Sequence, residues 1–208
     1  MFDARLRQFS AGLADRTARR LDVPWITPDR LTGLNLVLGL ASAGFAAAQW
    51  WTPALLAWLL CRLADGLDGP LARIRRARTG AEDTGQGGFW DICADFVVYG
   101  ATVIGVGWGA TEAFGAPWLP FLLVVFAYYI NGTAFLAFSS IAEKTGRRID
   151  DGRSLSFISG LTEGTETIVV HVLWLVFPMV AWQIAAVWAG LVCLSATERI
   201  IRGYRSLG

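Results

Sequence analysis

The stretch "WWTPALLAWLLCRLADGLDGPLAR", residues 50–73, joins an apolar run to a set of charged side chains. Residues 50–61 are as hydrophobic as a membrane span, and Asp65, Asp68 and Arg73 follow soon after. An isolated carboxylate in hydrocarbon is costly, so ionisable residues within a span usually have a function. The stretch therefore indicates a membrane helix that carries a polar site towards one end.

The whole chain is too apolar for an ordinary soluble domain. Of its 208 residues, 54% are hydrophobic, and one span needs roughly 20 apolar residues. We predict an all-α integral membrane protein in which residues 1–26 form an N-terminal amphipathic helix on the cytoplasmic side and residues 27–208 form a six-helix transmembrane domain. The predicted spans are Leu31–Trp50, Trp51–Arg76, Gly88–Gly109, Pro117–Ala142, Leu155–Phe177 and Met179–Arg202.

The distribution of positive charge predicts the orientation. The net charge is only +1, but all 18 Lys and Arg residues lie in the N-terminal arm, the second and fourth connections, the C-terminus or adjoining helix ends. The other three connections contain none. This alternation follows the positive-inside rule. We therefore expect both termini and the polar site to face the cytoplasm, in a bacterial inner membrane.

Local sequence patterns predict how the N-terminal arm folds, where the first span begins and where helices approach one another closely. Residues 1–22 have an amphipathic pattern typical of a helix on an anionic leaflet or of a basic helix packed on the bundle. Thr27 is expected to cap the first span, with Pro28 at its first helical position. Glycines at helix-packing spacing predict close helix approach. They are Gly33, Gly39, Gly44, Gly100, Gly105, Gly109, Gly160 and Gly164.

Two pairs of aspartates lie in the cytoplasmic halves of neighbouring spans. Asp65 and Asp68 are three residues apart and Asp91 and Asp95 are four apart, so each pair shares one helix face. Because the second and third spans run in opposite directions, all four carboxylates can point to one spot. Four such charges repel one another unless a cation lies between them.

The ligand type predicts which metal the site takes. Carboxylate oxygens favour a hard cation, Mg²⁺, Mn²⁺ or Ca²⁺, over zinc. Four carboxylates on two helices are compatible with two metal ions, an arrangement that serves phosphoryl chemistry. The alternative is that the aspartates are loop residues solvated at the membrane surface.

The pattern D-x-x-D-G-x-x-A-R, residues 65–73, followed by G-x-x-x-D-x-x-x-D, residues 87–95, resembles the signature of the CDP-alcohol phosphatidyltransferases. These are six-helix membrane enzymes, usually homodimers, that make phospholipid head groups. The segment "TPDRLTGLNL", residues 27–36, is similar to the family's lead-in to the first helix, with Asp29 where Asn is common. The spacing between Arg73 and Gly87 is longer than usual for the family, so we expect a longer cytoplasmic loop.

The resemblance implies a role for each matching position. The metals, Mg²⁺ or Mn²⁺ and two per site, would be held by Asp65, Asp68 and Asp91 with Asp95 near them. Asp91 and Asp95 would be the catalytic pair, with Asp95 as the general base. The cytidine diphosphate would lie along a further set of residues: Gly69, Ala72, Arg73, Gly87 and Thr32.

The implied reaction transfers a phosphatidyl group from CDP-diacylglycerol to a small alcohol and releases CMP. Possible acceptor-site residues are Glu163, Glu166, Lys144 and Arg153. Basic residues at the cytoplasmic mouth suit a phosphorylated acceptor such as glycerol 3-phosphate or an inositol phosphate, but positive-inside anchoring explains them equally well. Serine or a free polyol remains open. The glutamates can instead pair with Arg30 or Arg62, and His171 is expected to be a hydrogen-bonded packing residue.

The implied partners are CDP-diacylglycerol, the alcohol, the lipid bilayer and a second copy of the chain, with no nucleic acid. Two other functions remain open. An ion or metal transporter would use the aspartates as a transport site, although the outer halves of the second and third spans carry no charge that would form an outer pathway. A related transferase would combine a soluble CDP-alcohol with diacylglycerol, and the motif does not distinguish these donors.

Overall fold

A computed structural model describes residues 12–80, 82–147, 162 and 164–208, and every regular element in them is helical. The predicted all-α class is confirmed for this part of the chain. Helix α1 covers residues 12–20. The later helices are α2 (Pro28–Ala47), α3 (Trp51–Thr79), α4 (Gln86–Phe114), α5 (Leu119–Lys144), α6 (Gly164–Val176) and α7 (Ala181–Leu207). One 3₁₀ turn, Pro178–Val180, leads into α7.

Within the described residues, four helical segments are long and apolar enough to cross a membrane: α2, α4, α5 and Pro178–Leu207. Helix α3 has an apolar first half, but its second half is strongly charged. The described part of α6 has 13 residues, and the predicted fifth span begins at Leu155, outside the described residues. The predicted total of six spans therefore stays a prediction.

The helix ends follow local chemistry. The Thr27 side chain accepts a hydrogen bond from the backbone N–H of Arg30 at 3.2 Å, and Pro28 begins α2, as predicted. Helix α3 has 29 residues, about 44 Å at 1.5 Å per residue, which exceeds a hydrocarbon core of about 30 Å. A helix of this length in the predicted second span would place its basic last turns past the hydrocarbon.

The extra residues between Arg73 and Gly87 are partly helical. Helix α3 continues to Thr79, beyond its predicted end at Arg76, and α4 begins at Gln86. The connection is therefore residues 80–85. Part of the expected lengthening is taken up by α3, because a helix keeps its backbone hydrogen bonds satisfied beyond the membrane as well as within it.

Helix α2 packs along both α3 and α4, and small residues set its distance from α4. A Cβ added at Gly105 would overlap the backbone of Ala43, and one at Gly109 would overlap the backbone of Ala46. These are the close approaches that the glycine spacing predicts. A Cβ at Gly33, Gly44 or Gly100 would meet no other residue, so these three glycines are not needed for helix contact.

The Gly105→Ala variant is expected to lose about 1–3 kcal/mol of stability, because the added methyl group pushes α4 away from α2. The matched control is Gly44→Ala, where the new Cβ has open space. Unfolding in mixed micelles, followed by circular dichroism, measures the difference. Equal stability of the two variants would contradict the close packing of α2 and α4.

The described part of the N-terminal arm is attached to α3. Ala18 of α1 belongs to a small buried cluster with Leu31, Leu67 and Leu71. Helix α1 therefore packs on the helix bundle, in agreement with the second of the two alternatives for the N-terminal arm. Residues 1–11 of the predicted amphipathic helix lie outside the described residues.

An ion pair holds the segment after α1. The Arg75 guanidinium donates to Asp22 at 2.8 Å and to the backbone oxygens of Val23 and Ile26 at 2.8 and 2.7 Å. Arg78 also pairs with Asp22. The hydrogen bond from Arg75 is the main reason that the pKa of Asp22 is lowered. The segment leading into α2 is thus fixed to the basic last turns of α3.

Candidate active site

Three of the four predicted aspartates converge. Asp65 and Asp68 on α3 and Asp91 on α4 each offer a carboxylate oxygen, and these oxygens lie within 4.8 Å of one another. Asp68 is buried and the other two are half-buried. The spacing of the aspartates correctly predicts that α3 and α4 bring acidic side chains together, but the prediction that Asp95 joins the same group is wrong. The metal-binding role of these residues stays a prediction.

Helix α2 supplies the hydrogen bonds that orient this cluster. The Thr32 hydroxyl donates to Asp68 at 2.7 Å, and the Asn35 amide donates to Asp65 at 3.1 Å. The backbone N–H of Gly69 donates to the other oxygen of Asp68 at 2.6 Å. Thr32, assigned to the nucleotide by resemblance, thus contacts the aspartate cluster. Asn35 is missing from the sequence-based site, although an amide side chain within an apolar span was a usable signal. In the structure this side chain is fully buried.

The cluster has the properties of a site for a hard divalent cation. One oxygen of Asp91 is buried and has no hydrogen-bond donor among the described residues, and a buried oxygen in that state is costly. The neighbouring carboxylates would repel one another when ionised. A cation bound between α3 and α4 would relieve both penalties, and oxygen ligands suit Mg²⁺ or Mn²⁺. The residues present therefore fit the implied metal.

Asp95 lies outside this three-aspartate cluster and contacts Arg62. The Arg62 guanidinium donates to one oxygen of Asp95 at 3.0 Å and lies 3.5 Å from Asp65. One guanidinium offsets only one of the four carboxylates, so an excess of negative charge remains for metal ions. From sequence alone, only the glutamates are candidate partners for Arg62, because its contact with Asp95 depends on how α2 holds α3 and α4 beside each other.

Aromatic side chains form a layer beneath Arg62. Trp58 stacks on His171 with ring centroids 4.6 Å apart, and Tyr99 meets the same ring edge-on at 5.4 Å. His171 is fully buried, and its Nδ1 bonds the backbone oxygen of Thr167 at 2.8 Å. These contacts agree with the expected packing role of His171.

A cavity of about 460 Å³ borders Asp95 and lies among α4, α5, α6 and α7. Its polar side includes Asn131, Thr167 and Arg199, and its other walls are largely aromatic. Arg199 is buried, with 4% of its surface exposed, and donates to the Asn131 side chain at 2.9 Å. A small polar molecule in this cavity would therefore meet both a carboxylate and a guanidinium.

The motif residues near the predicted nucleotide site are more exposed to solvent than the aspartate cluster. Arg73 is largely exposed and lies 4.0 Å from Asp15 of α1. A Cβ on Gly69 would come within 3.4 Å of the Arg73 guanidinium, so this side chain lies over the glycine. Ala72 is half-buried. A Cβ added at Gly87 would lie 3.8 Å from the Oδ1 atom of Asp29, so these two residues face each other.

The predicted acceptor residues are not brought together by the described structure. Lys144 is exposed at the end of α5, and Glu166 is half-buried in the first turn of α6. Neither lines the cavity beside Asp95. Arg153 and Glu163 lie outside the described residues. Their proposed contact with the acceptor stays a prediction.

Known proteins are similar to this chain in sequence and in fold. The chain is 39% identical over its whole length to the inner membrane protein YnjF of Escherichia coli strain K12, 97% of which is covered. Together with the apolar helices, this relationship identifies an integral membrane protein.

Two crystal structures of a phosphatidylinositol phosphate synthase from Mycobacterium tuberculosis have a similar fold. The structure with CDP-DAG bound gives a TM-score of 0.66 at 20% identity and covers 93% of this chain and 92% of that one. The structure in complex with manganese and citrate gives a TM-score of 0.64 at 21% identity, with coverage of 93% and 88%. Residues 25–197 match the family model of the CDP-alcohol phosphatidyltransferases, and the chain belongs to this family.

Proposed function

We propose that this protein transfers a phosphatidyl group from CDP-diacylglycerol to the hydroxyl of a small alcohol and releases CMP. The observation that carries the proposal is the convergence of Asp65, Asp68 and Asp91 from two helices, within a chain of this transferase family. The similar synthase binds CDP-DAG, which supports the choice of donor. Phospholipid synthesis is the corresponding cellular role.

In the proposed site, Asp65, Asp68 and Asp91 hold Mg²⁺ or Mn²⁺. The bound metal would supply positive charge to the pyrophosphate and to the departing CMP. Thr32 and Asn35 hold the carboxylates of Asp68 and Asp65 in place through the bonds from α2. The ligands are thus positioned before the substrate arrives, which lowers the cost of reorganisation during the reaction.

Asp95 is proposed as the general base. Its carboxylate accepts the proton of the acceptor hydroxyl while that oxygen attacks the phosphorus attached to diacylglycerol. The bond from this phosphorus to the bridging pyrophosphate oxygen breaks, and CMP leaves with the bonding electrons. Asp95 suits this role because it borders the cavity and lies outside the three-aspartate cluster.

The nucleotide is proposed to lie along Gly69, Ala72, Arg73 and Gly87. Arg73 is exposed, and its planar guanidinium can donate two parallel hydrogen bonds to a phosphate. Its position over Gly69 leaves it beside the aspartate cluster. This placement would let Arg73 donate to a phosphate of the nucleotide close to the residues that would hold the metal.

The cavity beside Asp95 is proposed to receive the acceptor. Its volume of about 460 Å³ lies in the range typical of small-molecule sites. The guanidinium of Arg199 would suit an acceptor that carries phosphate, so a phosphorylated polyol remains the first choice. Glu163, Glu166, Lys144 and Arg153 remain candidates for the rim of this site. We further propose that the site faces the cytoplasm and that the protein is a homodimer.

A substrate panel with purified protein tests the proposal. Glycerol 3-phosphate, inositol phosphate, serine and inositol are each combined with CDP-diacylglycerol and Mn²⁺, and CMP is measured. We expect CMP with at least one acceptor, loss of CMP when the metal is chelated, and recovery when Mn²⁺ or Mg²⁺ is added back. CMP only from a soluble CDP-alcohol and diacylglycerol would favour the related transferase. Cation flux into liposomes without any CMP would instead support the transporter.

A further inference from the structure

Arg62 connects the parts of the site that come from three helices. Its side chain has 6% of its surface exposed. One nitrogen, Nη1, donates to Asp95 and to the Tyr99 hydroxyl of α4, each at 3.0 Å. The other, Nη2, donates to the Asn35 side chain of α2 at 2.6 Å. A buried charge with this many partners is held in one position.

Aromatic rings fix the plane of the guanidinium. Its central carbon lies 5.0 Å from the ring centroids of both Trp58 and Tyr99. Such cation–π contacts favour a flat guanidinium over an ammonium group. The planar fork also allows simultaneous donation to α2 and α4, which a single lysine nitrogen would do less well.

The contact with Asp95 controls how this carboxylate is presented. Arg62 binds its Oδ1 atom, whereas within the described residues no donor contacts its Oδ2 atom. Asp95 also borders the cavity. One oxygen is therefore fixed by the protein, and the other remains available for the acceptor hydroxyl.

We propose that Arg62 is a positioning residue, which anchors the carboxylate of Asp95 beside the cavity and keeps it apart from the metal ligands Asp68 and Asp91. This inference rests on the proposed transferase function. Arg62 contacts neither the donor nor the acceptor in this account. It acts by keeping the base at hydrogen-bonding distance from the acceptor hydroxyl.

The test compares Arg62→Gln and Arg62→Lys with the control Arg205→Gln, which removes an exposed arginine at the end of α7. For each variant, kcat and the KM for CDP-diacylglycerol are measured, and Mn²⁺ affinity is determined by electron paramagnetic resonance. We expect Arg62→Gln to lower kcat by about 10²-fold, because a misplaced base loses the reactive geometry. The KM and the Mn²⁺ affinity should not worsen, since the variant keeps every aspartate and removes a positive charge that lies 3.5 Å from the metal ligand Asp65.

Arg62→Lys retains the buried positive charge and should recover part of the lost kcat through one hydrogen bond to Asp95. It also provides a folded comparison if the glutamine variant fails to accumulate. Unchanged kcat in both variants would overturn the positioning role, as would a parallel loss of kcat and Mn²⁺ affinity. Wild-type protein that releases no CMP with any acceptor would overturn the transferase proposal itself, and the positioning role with it.

Discussion

The Asp91→Asn variant is expected to release CMP at least about 10³-fold more slowly than the wild type, because a lost metal ligand removes several kcal/mol of charge stabilisation from the transition state. Asn has nearly the same shape as Asp but lacks its charge. Asp91 has a buried oxygen with no donor among the described residues, so its negative charge is the property that a cation would use. Mn²⁺ affinity should fall together with the rate.

The control for this variant is Glu112→Gln. Glu112 is an exposed carboxylate near the other end of α4, so the change removes the same charge from the same helix without affecting the cluster. Normal activity is expected. An Asp91→Asn protein with wild-type rates and wild-type Mn²⁺ affinity would show that the cluster is not the metal site.

The Asp95→Asn variant should lower kcat by about 10²- to 10⁴-fold, the usual contribution of a general base. Its Mn²⁺ affinity should change much less than that of Asp91→Asn, since Asp95 is held by Arg62 and lies outside the three-aspartate cluster. The two variants therefore differ in their metal binding, although both lose activity. Parallel titrations with Mn²⁺ measure this difference.

The opposite pattern would change the assignment. If Asp95→Asn abolished Mn²⁺ binding as completely as Asp91→Asn, Asp95 would be a metal ligand first and the proposed base would have to be another group. Retained kcat in Asp95→Asn would exclude the residue as the base. The protein yield and elution profile of each variant serve as checks on folding.

The meeting of Asp65, Asp68 and Asp91 was predictable from their spacing and from the opposite directions of the two helices. Asp65 and Asp68 share one face of α3, and Asp91 lies near the start of a helix that runs back alongside it. A short connection between neighbouring antiparallel helices places these faces at similar depth. The helix limits were less predictable, because backbone hydrogen bonding continues after the apolar stretch ends.

The residues that support the aspartates could not be predicted in the same way. Asn35 and Arg62 act through contacts between α2, α3 and α4, which depend on the rotation of each helix about its own axis. A single sequence shows that a polar residue lies in a span, but it does not show which partner it meets. The cavity could not be predicted for the same reason, since Asn131 and Arg199 meet only when α5 packs on α7.

The most direct test of the central claim is anomalous diffraction from crystals of the protein grown with Mn²⁺. We predict a manganese peak bound jointly by α3 and α4, about 2.0–2.6 Å from carboxylate oxygens of Asp65, Asp68 and Asp91. Manganese bound by one helix only, or at a different place in an active protein, would contradict the account.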